Sequence, residues 1–142
     1  MCLDPGNKFF ATSQSDISKA AVDFFSLGHI LFGQIAYFIV YAIITWPLSY
    51  LGLDADMWAL IIAILLGVLW EPVENIILYA AGMKFENKQD SILNLVFDIL
   101  FVIVGGVVSY FIHIWWVNLI LVIVEFIIFF LIRYVFLKTA PA

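Results

Sequence analysis

Long apolar runs interrupted by single polar residues set the plan of this chain. Four of them reach the roughly 20 residues needed to cross the hydrocarbon core of a bilayer: residues 22–46, 57–81, 91–112 and 115–137. They predict four membrane-spanning helices joined by short connections, an all-α four-transmembrane-helix bundle. The runs use most of the 142 residues, so the chain (1–142) is read as one integral membrane domain. Thr12-Ser13-Gln14-Ser15-Asp16 is rich in capping residues and predicts a helix that starts there and continues through Lys19 into the first span. Pro47 is expected to end that helix, Asp54 or Asp56 to cap the second, Gly82 to close it and Asp90 to cap the third.

The polar residues inside the runs are not scattered. In the first span Ser26, His29 and Gly33 follow one another at helical spacing, with Gln34 at the edge of the stripe. In the second, Trp70-Glu71-Pro72-Val73-Glu74-Asn75 puts two carboxylates and an amide three and four residues apart, on one face of a regular helix. Pro72 lacks a backbone N–H, which should leave the carbonyl of Val68 without its partner and kink the helix near Glu71. In the third, Asp90, Asn94 and Asp98 recur every four residues and carry a polar stripe about 12 Å inward. Glu125, deep in the fourth run, needs a proton or a partner on another helix. Gly28, Gly33 and the Gly105-Gly106 pair read as close contacts between helices.

Composition agrees with the pattern: 65% of residues are hydrophobic and 12% charged, about half the charge a soluble domain carries. Residues 1–20 are polar and contain no apolar core before a cleavage site, so no cleavable signal is expected. The single cysteine, Cys2, rules out an internal disulfide and a multi-cysteine metal site. A net charge of −5 without a basic cluster excludes nucleic acid as a partner. The six basic residues carry more information than their number suggests. Lys8 and Lys19 precede the first span, Lys84 and Lys88 lie between the second and third, and Arg133 and Lys138 end the fourth. With four spans all of them fall on one side, and the positive-inside rule makes that side the cytoplasm, both termini included. Asp54, Asp56 and the 113–116 connection then face outward, and Lys84, Glu86 and Lys88 are expected to be solvated in the inner loop.

Orientation and spacing together place His29, Glu71, Glu74, Asn75, Asp90, Asn94 and Asp98 in the cytoplasmic half of the bundle, on three helices. A pocket built from them would crowd carboxylates that repel one another unless protons, a metal or a cationic group offset the charge. The candidate metal ligands are Glu71, Glu74, Asp98 and His29. Oxygen ligands alone suit Mg²⁺, Ca²⁺ or Mn²⁺, and adding His29 admits Zn²⁺ or iron. The same groups admit three roles. They can be a structural or partner-binding network, a metal-assisted enzyme or binder for a lipid-linked phosphate, or a proton or cation relay of a transporter. The bilayer is the expected partner; other membrane subunits or a lipid ligand are candidates. No nucleophile elbow, P-loop or His-Glu-x-x-His motif points to a reaction.

The segment from Ser26 to Gly33, the Trp70-Glu71-Pro72-Val73-Glu74-Asn75 motif and Asp90-Ser91 with Asn94 and Asp98 give the chain a family likeness. It resembles small bacterial inner-membrane proteins of uncharacterised function that carry Ser-His-x-x-His-Gly, Gly-Trp-Glu-x-x-Glu-Asn and Gly-Asp-Ser-x-x-Asn-Ser-x-x-Asp motifs. More loosely it is similar to the VanZ-like membrane proteins. Phe32, Leu69, Gln89 and Leu95 stand where the motifs have His, Gly, Gly and Ser. The resemblance covers residues 12–133 and implies four helices and an envelope setting, with glycopeptide-antibiotic or cell-wall lipid biology suggested through the VanZ-like relatives. The function expected is that of a non-catalytic, VanZ-like or accessory component of the inner membrane, a candidate subunit of a larger complex.

Overall fold

The computed structural model describes residues 8–84, 87–112 and 114–141. Cys2, Glu86 and His113, which entered the sequence reading, lie outside them. Four helices long and apolar enough to cross a membrane dominate these residues. They are α1 (Ser26–Tyr50), α2 (Ala55–Pro72), which runs on as a π-helical stretch (Val73–Leu78), α3 (Ile92–Phe111) and α4 (Trp115–Thr139). The order is up-down-up-down. The start of α1, the end of α2 and the start of α3 meet at one end of the bundle, and α4 returns to that end, where Gln14 donates to the carbonyls of Leu137 and Ala140.

Burial runs opposite to that of a soluble protein. The outward positions of α4 are almost wholly Ile, Leu, Val and Phe, and among its described residues only Asn118 is buried. The inward positions are small or polar: Ser26, His29, Gly33 and Gln34 on α1, Gly67 and Glu71 on α2, Asn94, Asp98, Gly105, Gly106 and Ser109 on α3. This is the arrangement a lipid solvent favours, since apolar side chains gain nothing by leaving it whereas polar groups need protein partners. Small residues let α1 and α3 pack backbone to backbone, with Gly33 against the Val102 carbonyl and Gly105 against that of Ile30. A compact apolar cluster of Ala36, Tyr37, Val40, Ala59 and Ala63 joins α1 to α2 farther along. The Tyr37 hydroxyl closes this region by donating to Asp56 at 2.8 Å.

Three helix boundaries differ from those expected. α1 begins at Ser26, not near residue 12, because Gln14–Asp16 forms only one 3-10 turn and Ser18 then takes a positive φ of 67° that no helix can contain. Pro47 does not end α1. It forfeits one bond, to the carbonyl of Ile43, near a helix end where water can replace it, and the helix continues to Tyr50 before Gly52, at φ 68°, reverses the chain. Ser91, not Asp90, caps α3 by accepting the Asn94 N–H, which frees Asp90 for contacts described below. Asp54 caps α2 through the N–H groups of Asp56 and Met57.

Residues 8–25 close the charged end of the bundle. Ile17, Ala20 and Ala21 are fully buried beneath it, and a short parallel bridge pairs Phe10 with Val22. Asp16 holds the segment together by accepting from Lys8 at 2.9 Å, from the Thr12 hydroxyl and from the N–H groups of Thr12 and Ser13. Burial acts to raise its carboxyl, but these donors, Lys8 foremost, outweigh burial and hold it well below the usual carboxylate range. A lowered folded value means stabilisation present in full above the unfolded carboxylate value, about 4, and lost as the pH falls through the folded one. Hydrogen exchange of the Ala11, Ala21 and Val22 amides, corrected for intrinsic rates, is therefore expected to accelerate in acid. Asp16→Asn should remove that dependence. Asp23 is shifted the other way, raised by burial against the opposing N–H groups of Ser18 and Phe25, so acid does not weaken its contribution.

Candidate functional site

The site begins with Pro72. Without an N–H at that position the backbone of α2 cannot keep its regular bonding, and it widens so that the Tyr79 N–H reaches back to Glu74. A π-helical stretch stands where a kink is expected. Fewer degrees of rotation per residue keep Glu71 and Asn75 facing inward while Glu74 swings to the rim. Glu71 is 2% and Asn75 5% exposed, whereas the Glu74 carboxylate takes the Trp70 indole N–H at 3.1 Å and stays partly open.

Two groups of polar side chains meet this face. The first is closed and satisfied. Asn75 donates to Asp90 at 2.8 Å and to the second oxygen of Glu71 at 3.3 Å, and its own carbonyl accepts the Asp90 N–H and the Lys84 ammonium. Lys84 also bonds the Asp90 carboxylate directly and lies 3.7 Å from Glu74. Lys84 is thus buried, contrary to the solvated loop position expected for it. The reason is local: the chain reverses at Gly82, φ 68°, and returns Lys84 beneath the carboxylates of the helix it has just left. The sequence signal for Lys84 is its place between Glu74 and Asp90, acids that need a cation; which of them it meets is decided by the fold.

The second group is open. His29 from α1 stands between Glu71 from α2 and Asp98 from α3. Its Nδ1 is 4.0 Å from Glu71 Oε1 and its Nε2 3.6 Å from Asp98 Oδ1. Both carboxylate oxygens are buried and have no hydrogen-bond partner among the described residues. Asn94 does not join either group. Its amide donates 3.0 Å to the Ala20 carbonyl, and with Ser91, which bonds the backbone of Ser18 and Lys19, it ties α3 to the N-terminal segment. Its register along α3 is that of Asp98, but the backbone of residues 18–20 occupies the space beside it. Of the seven candidate residues, His29, Glu71 and Asp98 converge, Asn75 and Asp90 meet over Lys84 with Glu74 at the rim, and Asn94 stands apart. Glu125, farther into the bundle, accepts from Gln34 on α1 at 3.2 Å.

Beside the site a cavity of about 250 Å³ opens between α2 and α3. Glu71, Asn75 and Gln89 supply polar atoms to it, and Pro72, Ile76 and Leu95 the apolar wall. Gln89 is held there by donating its amide to the backbone carbonyl of Asn75, 3.2 Å. No curated protein and no solved structure gives a significant match to the chain. A family model does match, over residues 7–138 of the 142, and the chain accordingly belongs to the family described as protein of unknown function (DUF2585).

Proposed function

We propose that this is a VanZ-like accessory component of the cytoplasmic (inner) membrane, with both termini in the cytoplasm, which binds an amphiphilic lipid at the charged end of its bundle and does no covalent chemistry on it. The observation that carries the reading is the cavity between α2 and α3, apolar along Pro72, Ile76 and Leu95 and polar at Glu71, Asn75 and Gln89. A chain can lie on the first set while a head group meets the second. Two of the three polar side chains at the cavity favour binding over reaction: Asn75 and Gln89 are amides without acid–base chemistry, and Lys84 is already committed to Asp90 and Asn75. Glu71, Glu74, Asp90 and Asp98 outnumber Lys84, which favours a neutral or zwitterionic head over an anionic one.

Lipid extracted from the detergent-purified protein and analysed by mass spectrometry tests the proposal. One lipid class should be enriched over the host membrane. Leu95→Trp, which fills the cavity from its apolar side, should reduce that enrichment about tenfold, equivalent to roughly 1.4 kcal/mol. A lipid complement that mirrors the bulk membrane, or one that Leu95→Trp leaves unchanged, would overturn the reading.

A further inference from the structure

Glu71 Oε1 and Asp98 Oδ1 pose a problem that the cavity does not solve. Both belong to side chains almost fully buried, at 2% and 3% residue exposure, and both face His29 without a hydrogen bond among the described residues. A buried carboxylate oxygen without a partner is costly, and two facing one imidazole are costlier. The protein's own cation does not relieve them, because Lys84 is held by Asp90, Asn75 and Glu74.

We propose that His29, Glu71 and Asp98 together hold one divalent transition-metal ion, Mn²⁺ or Zn²⁺, inside the bundle. One donor atom from each residue lies within 4.8 Å of the other two. Nδ1 of His29 is 4.0 Å from Glu71 and Nε2 is 3.6 Å from Asp98, and one of these nitrogens would bind the ion while the other faces away from it. These separations are too long for direct hydrogen bonds, which would draw the atoms to about 2.5–3.2 Å. Donors that share one ion at bonds of about 2.0–2.2 Å sit roughly 3–4 Å apart, so a small inward movement of the three side chains completes the set. Charge fits as well: a divalent ion offsets the two carboxylates, which suit Mn²⁺, and neutral His29 adds a nitrogen that favours Zn²⁺ over Mg²⁺ and Ca²⁺. Asn75, which donates to the other oxygen of Glu71 at 3.3 Å, orients that ligand from behind, as outer groups commonly do around a metal. Helices α1, α2 and α3 each contribute one ligand, so the ion would pin three spans at one point. Three protein ligands leave a coordination position open.

Metal analysis of the full-length protein in detergent, after buffer exchange, is expected to find one Mn²⁺ or Zn²⁺ per chain. Chelation should remove it and lower the unfolding temperature, and adding back either metal alone should restore both. His29→Ala and Asp98→Asn should lose the ion and the response, whereas Glu125→Gln, in which the altered carboxylate contacts Gln34 instead, should keep them. If the His29 and Asp98 variants do not accumulate, chelation and add-back on the wild-type protein decide the question. Folded wild-type protein that carries no stoichiometric metal and ignores added Mn²⁺ and Zn²⁺ would overturn the proposal. Variants that bind as the wild type does would reduce any metal found to an adventitious one. Lipid enrichment at the α2–α3 cavity is a separate readout, so failure of either proposal leaves the other standing.

Discussion

Lys84→Met is expected to destabilise the protein by about 3–5 kcal/mol, the largest effect of any single side chain in the satisfied half of the site. The substitution keeps the unbranched stem and removes only the charge and its donors. What remains among the described residues is Asp90, 5% exposed, with the Asn75 amide as its one side-chain donor, and an Asn75 side-chain carbonyl that keeps only the Asp90 N–H. Breaking one partner out of a buried pair costs more than the pair contributes, because the other charge stays behind. The test is denaturant unfolding in a fixed detergent, with two comparisons. Lys84→Met combined with Asp90→Asn should recover at least half of the loss, since no charge is then stranded. Glu74→Gln should cost about 1 kcal/mol or less, because the Glu74 carboxylate lies 3.7 Å from Lys84 at the partly open rim, where ion pairs contribute little. A Lys84→Met cost as small as that of Glu74→Gln would show that the network does not hold this end of the bundle together.

Gly33→Ala and Gly105→Ala should each cost about 1–3 kcal/mol through overpacking. A Cβ on Gly33 would overlap the Val102 carbonyl, and one on Gly105 the Ile30 carbonyl. Both obstacles are backbone atoms inside helices and cannot move aside as a side chain would. The α1–α3 contact must therefore open, and the consequence reaches the site, because α1 carries His29 and α3 carries Asp98. Gly28 supplies the control. A Cβ there meets the Phe129 ring at 3.6 Å, an ordinary contact, and alanine is the better helix former by about 0.8–1.0 kcal/mol. Gly28→Ala should be neutral or mildly stabilising. If all three alanine variants unfold alike, close approach of α1 and α3 is not what these glycines are for.

The parts of this protein that were legible in its sequence are those that the membrane dictates. Four apolar runs had to be four helices, because lipid offers no partners to an unpaired backbone. Carboxylates and amides inside those runs had to turn inward for the same reason, and Glu71, Asn75, Asp90 and Asp98 are all buried. Close packing at Gly33, Gly105 and Gly106 follows from residue size. Helix boundaries were less legible. Capping residues at 12–16 promised a helix that Ser18 prevents, and either Asp90 or Ser91 is competent to cap α3.

Partnership was the least legible property. A lysine in a short loop reads as solvated, and nothing nearby in the chain reveals that Asn75 and Asp90, fifteen residues apart, converge to receive Lys84. Glu125 evidently needed a partner, but Gln34 lies 91 residues away on another helix. Asn94 shares the register of Asp98 yet serves the N-terminal segment, because the backbone of residues 18–20 takes the place a pocket would have used. The π-helical turn after Pro72 then separates Glu74 from Glu71, two residues that regular helical spacing puts on one face.

The sequence by itself determined the four helices long enough to span a membrane, the inward turn of their polar residues and the end of the bundle at which most of the carboxylates gather, because each follows from the cost of placing a polar group in lipid. Only the tertiary structure decided which of them meet. Hydrogen-bond and ion-pair geometry depends on how three helices and a returning loop pack, and it divides one apparent acidic pocket into a closed Asn75–Lys84–Asp90 network and an open His29–Glu71–Asp98 site.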